Sequence, residues 1–174
     1  MRNSLCTLAL ASMLLYAGAG HAETPATSAP TAPLPLDYFL GAWHCDGVFP
    51  GSGKTISSTM RFERDAATGA LIKHHDDTPP ASYHAFEVWS STASEGHYNA
   101  AIVDNFGGVR DFNTQGWQGD ELTWNAASQV QPRQQFVYTK LGADRFRVNR
   151  RVAKKEPSFV VGDTLTCKRD GGRD

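Results

Sequence analysis

The chain has 174 residues and nearly balanced charge, with 17 basic and 18 acidic side chains. This balance leaves no positive excess to neutralise phosphates, so nucleic acid is not expected as a partner. The length is enough for one domain of ordinary size once the two ends of the chain are set aside.

Residues 1–22 are typical of a secretory signal. Arg2 supplies the positive start, a mostly apolar stretch runs over Leu5–Ala19, and Gly20 and Ala22 are small residues at a predicted cleavage site. The apolar stretch is shorter than the roughly 18–20 residues that a membrane-spanning helix needs. We therefore expect a periplasmic or secreted protein with no membrane span after cleavage.

The signal is followed by a linker, one domain and a short tail. Residues 23–35 contain four prolines among Ala, Thr and Ser, a composition that favours a semi-extended linker. The domain is predicted at residues 36–169, and residues 170–174 are expected to be a disordered tail.

The domain is predicted to consist of short β-strands after a single helical turn at Leu36–Leu40. Residues 56–63 alternate between apolar and polar side chains, which indicates a half-buried strand. The first strand surrounds Trp43–Gly47. Further strands are predicted at residues 71–76, 83–89, 97–103, 109–114, 122–125, 135–140, 145–152 and 164–168. Strands at this spacing favour a sandwich or an up-and-down barrel.

The cysteines favour the barrel. Cys6 lies in the signal, so Cys45 in the first strand and Cys167 in the last are the mature pair. In an oxidising compartment we expect them to form a disulfide, with two free buried thiols as the alternative. Such a bond requires the two strands to be neighbours. We predict an all-β, antiparallel up-and-down barrel whose first and last strands are paired and disulfide-linked.

Three short motifs resemble known barrels. Gly41 and Trp43 in FLGAW resemble the G-x-W entry of lipocalins and the wider calycin barrels, in which the Trp closes one end. Residues 116–124 (GWQGDELTW) and 162–168 (GDTLTCK) are similar to segments of a family of small exported bacterial barrel domains of unknown function. The resemblance spans most of residues 37–169 and implies a cavity open at one end. The Arg that packs on the Trp in lipocalins has no plain counterpart in this sequence.

Two motifs suggest chemistry that their surroundings do not support. Residues 50–55 (PGSGKT) lack the glycine that a phosphate-binding loop needs at Val48 and precede a strand, so they are predicted to form a hairpin turn. Residues 74–77 (HHDD) could supply metal ligands together with His84. Alternation lets only two of the four converge, fewer than Zn²⁺ requires, so no metal and no cofactor is predicted.

Charged side chains near the strand ends are candidates for ligand contact. Asp104 and Arg110 flank a predicted turn, and with His74 and Asp76 they would form an acid–base set only if all four converged. Alternation places Arg150 on the inward face, where its charge needs a carboxylate partner or an anionic ligand.

We predict a binding module that holds a small, partly apolar ligand in the barrel, with an acidic group of the ligand at Arg150. The candidate ligand-binding residues are Trp43, His74, Asp104, Arg110, Trp117, Trp124, Tyr138 and Arg150. No catalytic residue is assigned. The alternatives are a barrel enzyme, such as the decarboxylases and cyclases of related barrels, and an envelope protein that interacts through its outer face.

Overall fold

The computed structural model describes residues 36–92, 97–155 and 158–171. The predicted signal, the predicted linker and tail residues 172–174 lie outside these ranges. Within them, no helix is long and apolar enough to cross a membrane.

One 3₁₀ turn at Asp37–Phe39 precedes the strands of the described ranges. The strands are β1 (Gly41–Phe49), β2 (Lys54–Arg64), β3 (Leu71–Asp77), β4 (His84–Thr92), β5 (His97–Asp104), β6 (Gly108–Thr114), β7 (Trp117–Gln118), β8 (Glu121–Ala126), β9 (Gln134–Lys140), β10 (Arg145–Lys155) and β11 (Ser158–Arg169). Every predicted strand is present. The short β7 and the first half of β11 were not predicted. Residues 50–53 of the PGSGKT segment form the turn between β1 and β2, as expected, and Lys54 begins β2.

The strands form a closed antiparallel barrel in chain order. Consecutive strands pair with one another from β1 through β6 and again from β7 through β11. The chain passes through β7 at one rim, and β6 pairs directly with β8. Pairing of β1 with β11 completes a wall of ten strands. The predicted all-β, up-and-down barrel is confirmed.

The seam between β1 and β11 carries the predicted disulfide. Cys45 and Cys167 lie directly opposite each other in the register, with their Cα atoms 3.9 Å apart, and their sulfur atoms are bonded. Two residues further along, Gly47 faces Leu165. A side chain at Gly47 would meet the carbonyl oxygen of Thr164, so glycine permits the close approach of the two strands.

An aromatic plug fills one end of the barrel. Phe39 of the 3₁₀ turn is fully buried and is the centre of this plug. Its ring centroid lies 5.2–5.5 Å from those of Phe62, Trp89, Trp117, Tyr138 and Phe146. Trp43 Nε1 donates a hydrogen bond of 2.6 Å to the Phe39 carbonyl oxygen. The 3₁₀ turn is thereby fixed in the barrel end, where burial of each large side chain stabilises the fold by about 1.5–3 kcal/mol.

An arginine packs on the Trp43 ring after all. The guanidinium carbon of Arg169 lies 4.1 Å from the centroid of that ring, because the register places the two residues opposite each other. Arg169 also donates hydrogen bonds to the carbonyl oxygens of Leu40 and Tyr38. The contact joins the end of the last strand to the turn that closes the barrel.

Candidate ligand cavity

The half of the barrel opposite the plug is hollow. The cavity has a volume of about 650 Å³ and reaches the surface at the β5–β6 turn, where the lining residue Phe106 is 71 % exposed. Apolar side chains from five strands form much of its wall: Phe49, Ile56, Met60, Phe136, Val148 and Leu165. Since strand residues alternate between the faces of a sheet, these positions point inward while their neighbours face outward.

The floor of the cavity is a buried ion pair. Lys73 Nζ lies 2.7 Å from Glu87 Oε1 and donates a hydrogen bond of 3.1 Å to the Tyr138 hydroxyl. The other oxygen of Glu87 accepts a hydrogen bond of 2.8 Å from Trp89 Nε1. The ammonium group also lies 5.7–5.8 Å from the ring centroids of Phe62, Trp89 and Tyr138. The plug therefore supplies an aromatic cage around the cation.

The protonation states at the floor follow from these contacts. Burial lowers the pKa of Lys73. The negative charge of Glu87 and the hydrogen bonds to Glu87 and Tyr138 raise it by a larger amount, so the pKa lies above its ordinary value. Burial raises the pKa of Tyr138 to about 12. At neutral pH the lysine is charged and the phenol is neutral. The floor therefore has no net charge.

A second ion pair lies near the mouth. Arg110 on β6 is paired with Asp104 on β5 and donates hydrogen bonds to Gln134 on β9, at 3.0 Å, and to the Tyr83 hydroxyl, at 3.3 Å. The guanidinium group thus joins four separate segments of the wall. Its fixed fork of donors makes it suited to such a position.

The third pair is Arg150 with Asp163. Arg150 points into the cavity, and its Nε donates a hydrogen bond of 2.5 Å to Asp163 Oδ2 on β11. Asp163 is the carboxylate partner that an inward arginine requires. The register of β10 and β11 shifts directly after this pair, between Arg150 and Arg151.

His75 and Asp77 on β3 form a polar patch on the cavity wall. Asp77 Oδ1 accepts a hydrogen bond of 2.7 Å from Ser58 Oγ on β2. His75 Nε2 lies 3.2 Å from the same oxygen, away from the line of a hydrogen bond. Burial lowers the pKa of His75. Burial of Asp77 opposes ionisation, but its contacts with His75 and Ser58 lower its pKa overall, so the pair is a neutral imidazole beside a carboxylate.

Four of the eight candidate residues line the cavity, namely Asp104, Arg110, Tyr138 and Arg150. The others lie elsewhere. Trp43 and Trp124 are buried in the packed end, and Trp117 stacks on Phe39 there. His74 is on the outer face, where its ring meets that of Phe86.

The four residues of the alternative acid–base set do not converge. Asp76 lies on the outer face beside His74 and pairs with His84 at 2.8 Å, whereas Asp104 and Arg110 face the cavity. The four side chains therefore lie on opposite faces of the barrel wall. In the described ranges, no group of three or more His, Cys, Asp or Glu side chains is placed to hold a metal ion.

Sequence reasoning missed five acidic or basic residues of the cavity: Lys73, His75, Asp77, Glu87 and Asp163. The signal for three of them was the apolar Leu71 at the start of β3. Alternation from a buried Leu71 places Lys73, His75 and Asp77 on the inner face.

No family model matches the chain, and no curated protein is significantly similar to it. The cavity and its side chains are therefore the basis for a functional conclusion.

Proposed function

We propose that this barrel is an exported binding module that holds a small, partly apolar molecule in its cavity. The observation that carries the proposal is the hollow half of the barrel beside a solid aromatic plug. A volume of about 650 Å³ falls within the roughly 300–1,000 Å³ of small-molecule sites. Apolar walls with a few fixed polar groups are the usual composition of such sites.

The polar groups of the wall are held in place before any ligand arrives. Lys73, Arg110 and Arg150 each have a carboxylate partner from a neighbouring strand. Such pairs hold long side chains in one conformation, which reduces the entropy that a ligand would otherwise lose on binding. Polar groups fixed in this way favour selective binding of one ligand over unselective binding of apolar molecules.

The disulfide supports the exported location, because such bonds persist in oxidising compartments. A periplasmic or secreted protein with a cleaved signal at residues 1–22 is the location we propose. The acidic ligand group at Arg150 stays a prediction. Asp163 already satisfies the charge requirement from which that prediction arose.

Filling the cavity tests the proposal. Val148 lines the cavity, and Val148→Phe would place a ring in it, whereas Val109→Phe makes the same change on the exposed outer face of β6. We expect the neutral apolar dye Nile red to bind the wild type and V109F equally, and V148F more weakly by about tenfold or more. Dye fluorescence is the readout. Tryptophan fluorescence is unsuitable, because Trp43, Trp89 and Trp124 lie in the plug and not in the cavity wall. Equal binding by V148F and V109F would contradict the proposal.

Interaction through the outer face is a second candidate. Phe86, Val103 and Val109 are exposed and form one apolar row across β4, β5 and β6, since the register pairs Phe86 with Val103 and Val103 with Val109. Contiguous exposed apolar side chains favour contact with another surface.

A further inference from the structure

His75 has unused hydrogen-bonding capacity. The residue is nine-tenths buried and lines the cavity. Its Nε2 is the buried atom without an aligned hydrogen bond and lies 3.2 Å from Asp77 Oδ1, and among the described residues no hydrogen bond involves its Nδ1. A carboxylate beside Nε2 favours the proton on that nitrogen, which leaves Nδ1 as an acceptor. A ring nitrogen without a proton accepts a hydrogen bond, so Nδ1 can bind a donor group of a ligand in the cavity.

The charges that line the cavity do not balance. The cations are Lys73, Arg110 and Arg150, and the carboxylates are Asp77, Glu87, Asp104 and Asp163. Each cation is engaged by one carboxylate, which leaves Asp77 as the unmatched charge. Its neighbour His75 is neutral at neutral pH because burial lowers the pKa of the imidazole. The wall therefore carries one excess negative charge.

We propose, on the basis of the binding function above, that the ligand is a small apolar amine whose ammonium group docks at His75 and Asp77. An ammonium group carries three donors and a positive charge, so it can donate to Nδ1 while it neutralises the unmatched carboxylate. Met60 lies opposite His75 in the register, and the Tyr83 ring lies 5.2 Å from the imidazole. These side chains provide apolar and aromatic contacts for the rest of the molecule.

An acidic ligand fits the same wall poorly. Its carboxylate would add a second unmatched negative charge in a partly desolvated cavity, and it would have to compete with Asp163 for Arg150. A neutral alcohol can donate to Nδ1 but leaves the charge of Asp77 unmatched. Compounds that differ only in their head group therefore distinguish an amine ligand from an acid or an alcohol.

Calorimetry with three compounds that share one apolar body provides the test. The compounds are phenylbutylamine, phenylbutanol and phenylbutyrate, titrated into the intact protein at neutral pH. We expect the amine to bind about tenfold more tightly than the alcohol and more tightly still than the acid. This comparison uses the wild type only, so it does not depend on a variant that folds.

Two matched pairs of variants locate the contact. Asp77→Asn and His75→Gln change the inner face of β3, whereas Asp76→Asn and His74→Gln make the same changes on its outer face. We expect D77N and H75Q to weaken amine binding by about tenfold, and D76N and H74Q to leave it unchanged. D77N should alter alcohol binding little, because the alcohol carries no charge. Circular dichroism checks that each variant is folded.

The outcomes separate this inference from the proposed function. If the acid or the alcohol binds as tightly as the amine, or if folded D77N binds the amine like the wild type, the ammonium site is overturned and the cavity remains a binding site. If none of the three compounds binds the wild type, and V148F binds Nile red as V109F does, both proposals fail.

Discussion

A buried lysine destabilises a protein unless its charge is matched, and Lys73 is only 3 % exposed. The matching group is Glu87, which is held from its other side by Trp89. The residue is therefore part of a chain of contacts that joins the cavity floor to the plug. Removal of either charge alone leaves the other without a partner in a site of low dielectric.

We expect Lys73→Met to lower the free energy of unfolding by about 3–5 kcal/mol, because Glu87 would remain buried and unpaired. The double variant K73M/E87Q should recover most of this loss, since no buried charge remains and the amide can still accept from Trp89. Urea denaturation with the disulfide intact measures both.

Arg61 provides the control on the neighbouring strand. Its pair with Glu63 is exposed, with 54 % of each side chain accessible, so Arg61→Met should cost at most about 1 kcal/mol. A double variant K73M/E87Q that is no more stable than K73M would show that packing, rather than charge, determines the cost at Lys73.

At the scale of the strands, alternation predicted where most elements begin and end but not always which face is inward. In the run of two histidines and two aspartates on β3, all four side chains are polar, so local pattern alone does not select His75 over His74. The inward lysine adds to the ambiguity, because charged side chains normally face solvent. The inner face becomes clear only from Leu71 at the start of the strand.

The missed half of β11 has a different cause. The pairing of β10 with β11 skips Gly162, so that Arg150 faces Asp163 and Arg151 faces Val161. An irregularity of this kind breaks the period of two on which strand prediction depends. The packing of Arg169 on Trp43 was also invisible in the sequence, since it follows from the register between the first and last strands.

The seam between those strands depends on Gly47. A Cβ atom there would lie 1.8 Å from the Thr164 carbonyl oxygen, which is backbone and cannot rotate away. We expect Gly47→Ala to lower the free energy of unfolding by about 1–3 kcal/mol, because the strands must separate locally. Gly108→Ala is the matched change on β6, where a Cβ would have nothing within 4 Å, and it should be nearly neutral. Thermal unfolding compares the two, and equal losses would refute close packing as the cause.

At the scale of the whole molecule, one closed wall contains two different interiors. The plugged end buries its aromatic side chains against one another. The hollow end lacks such contact. The side chains that line the cavity lose the dispersion energy that neighbouring atoms would provide, and this lowers stability. Closure of the wall is what makes this division possible, because a barrel has no free edge and can hold its shape around an empty space.

The disulfide should therefore matter more for stability than for the cavity. It joins residues 122 positions apart, and the chain-entropy relation gives about 4–5 kcal/mol for a loop of this length. We expect Cys45→Ala with Cys167→Ala to lower the free energy of unfolding by about this amount. Nile red binding without denaturant should persist, because the ladder of β1 and β11 keeps the register and neither cysteine lines the cavity. Urea titrations of the variant and the wild type, each with and without reductant, measure the effect. If reductant leaves the wild-type midpoint unchanged, or if two thiols react with alkylating agent in the non-reduced protein, the covalent seam is absent and the barrel is closed by its hydrogen bonds alone.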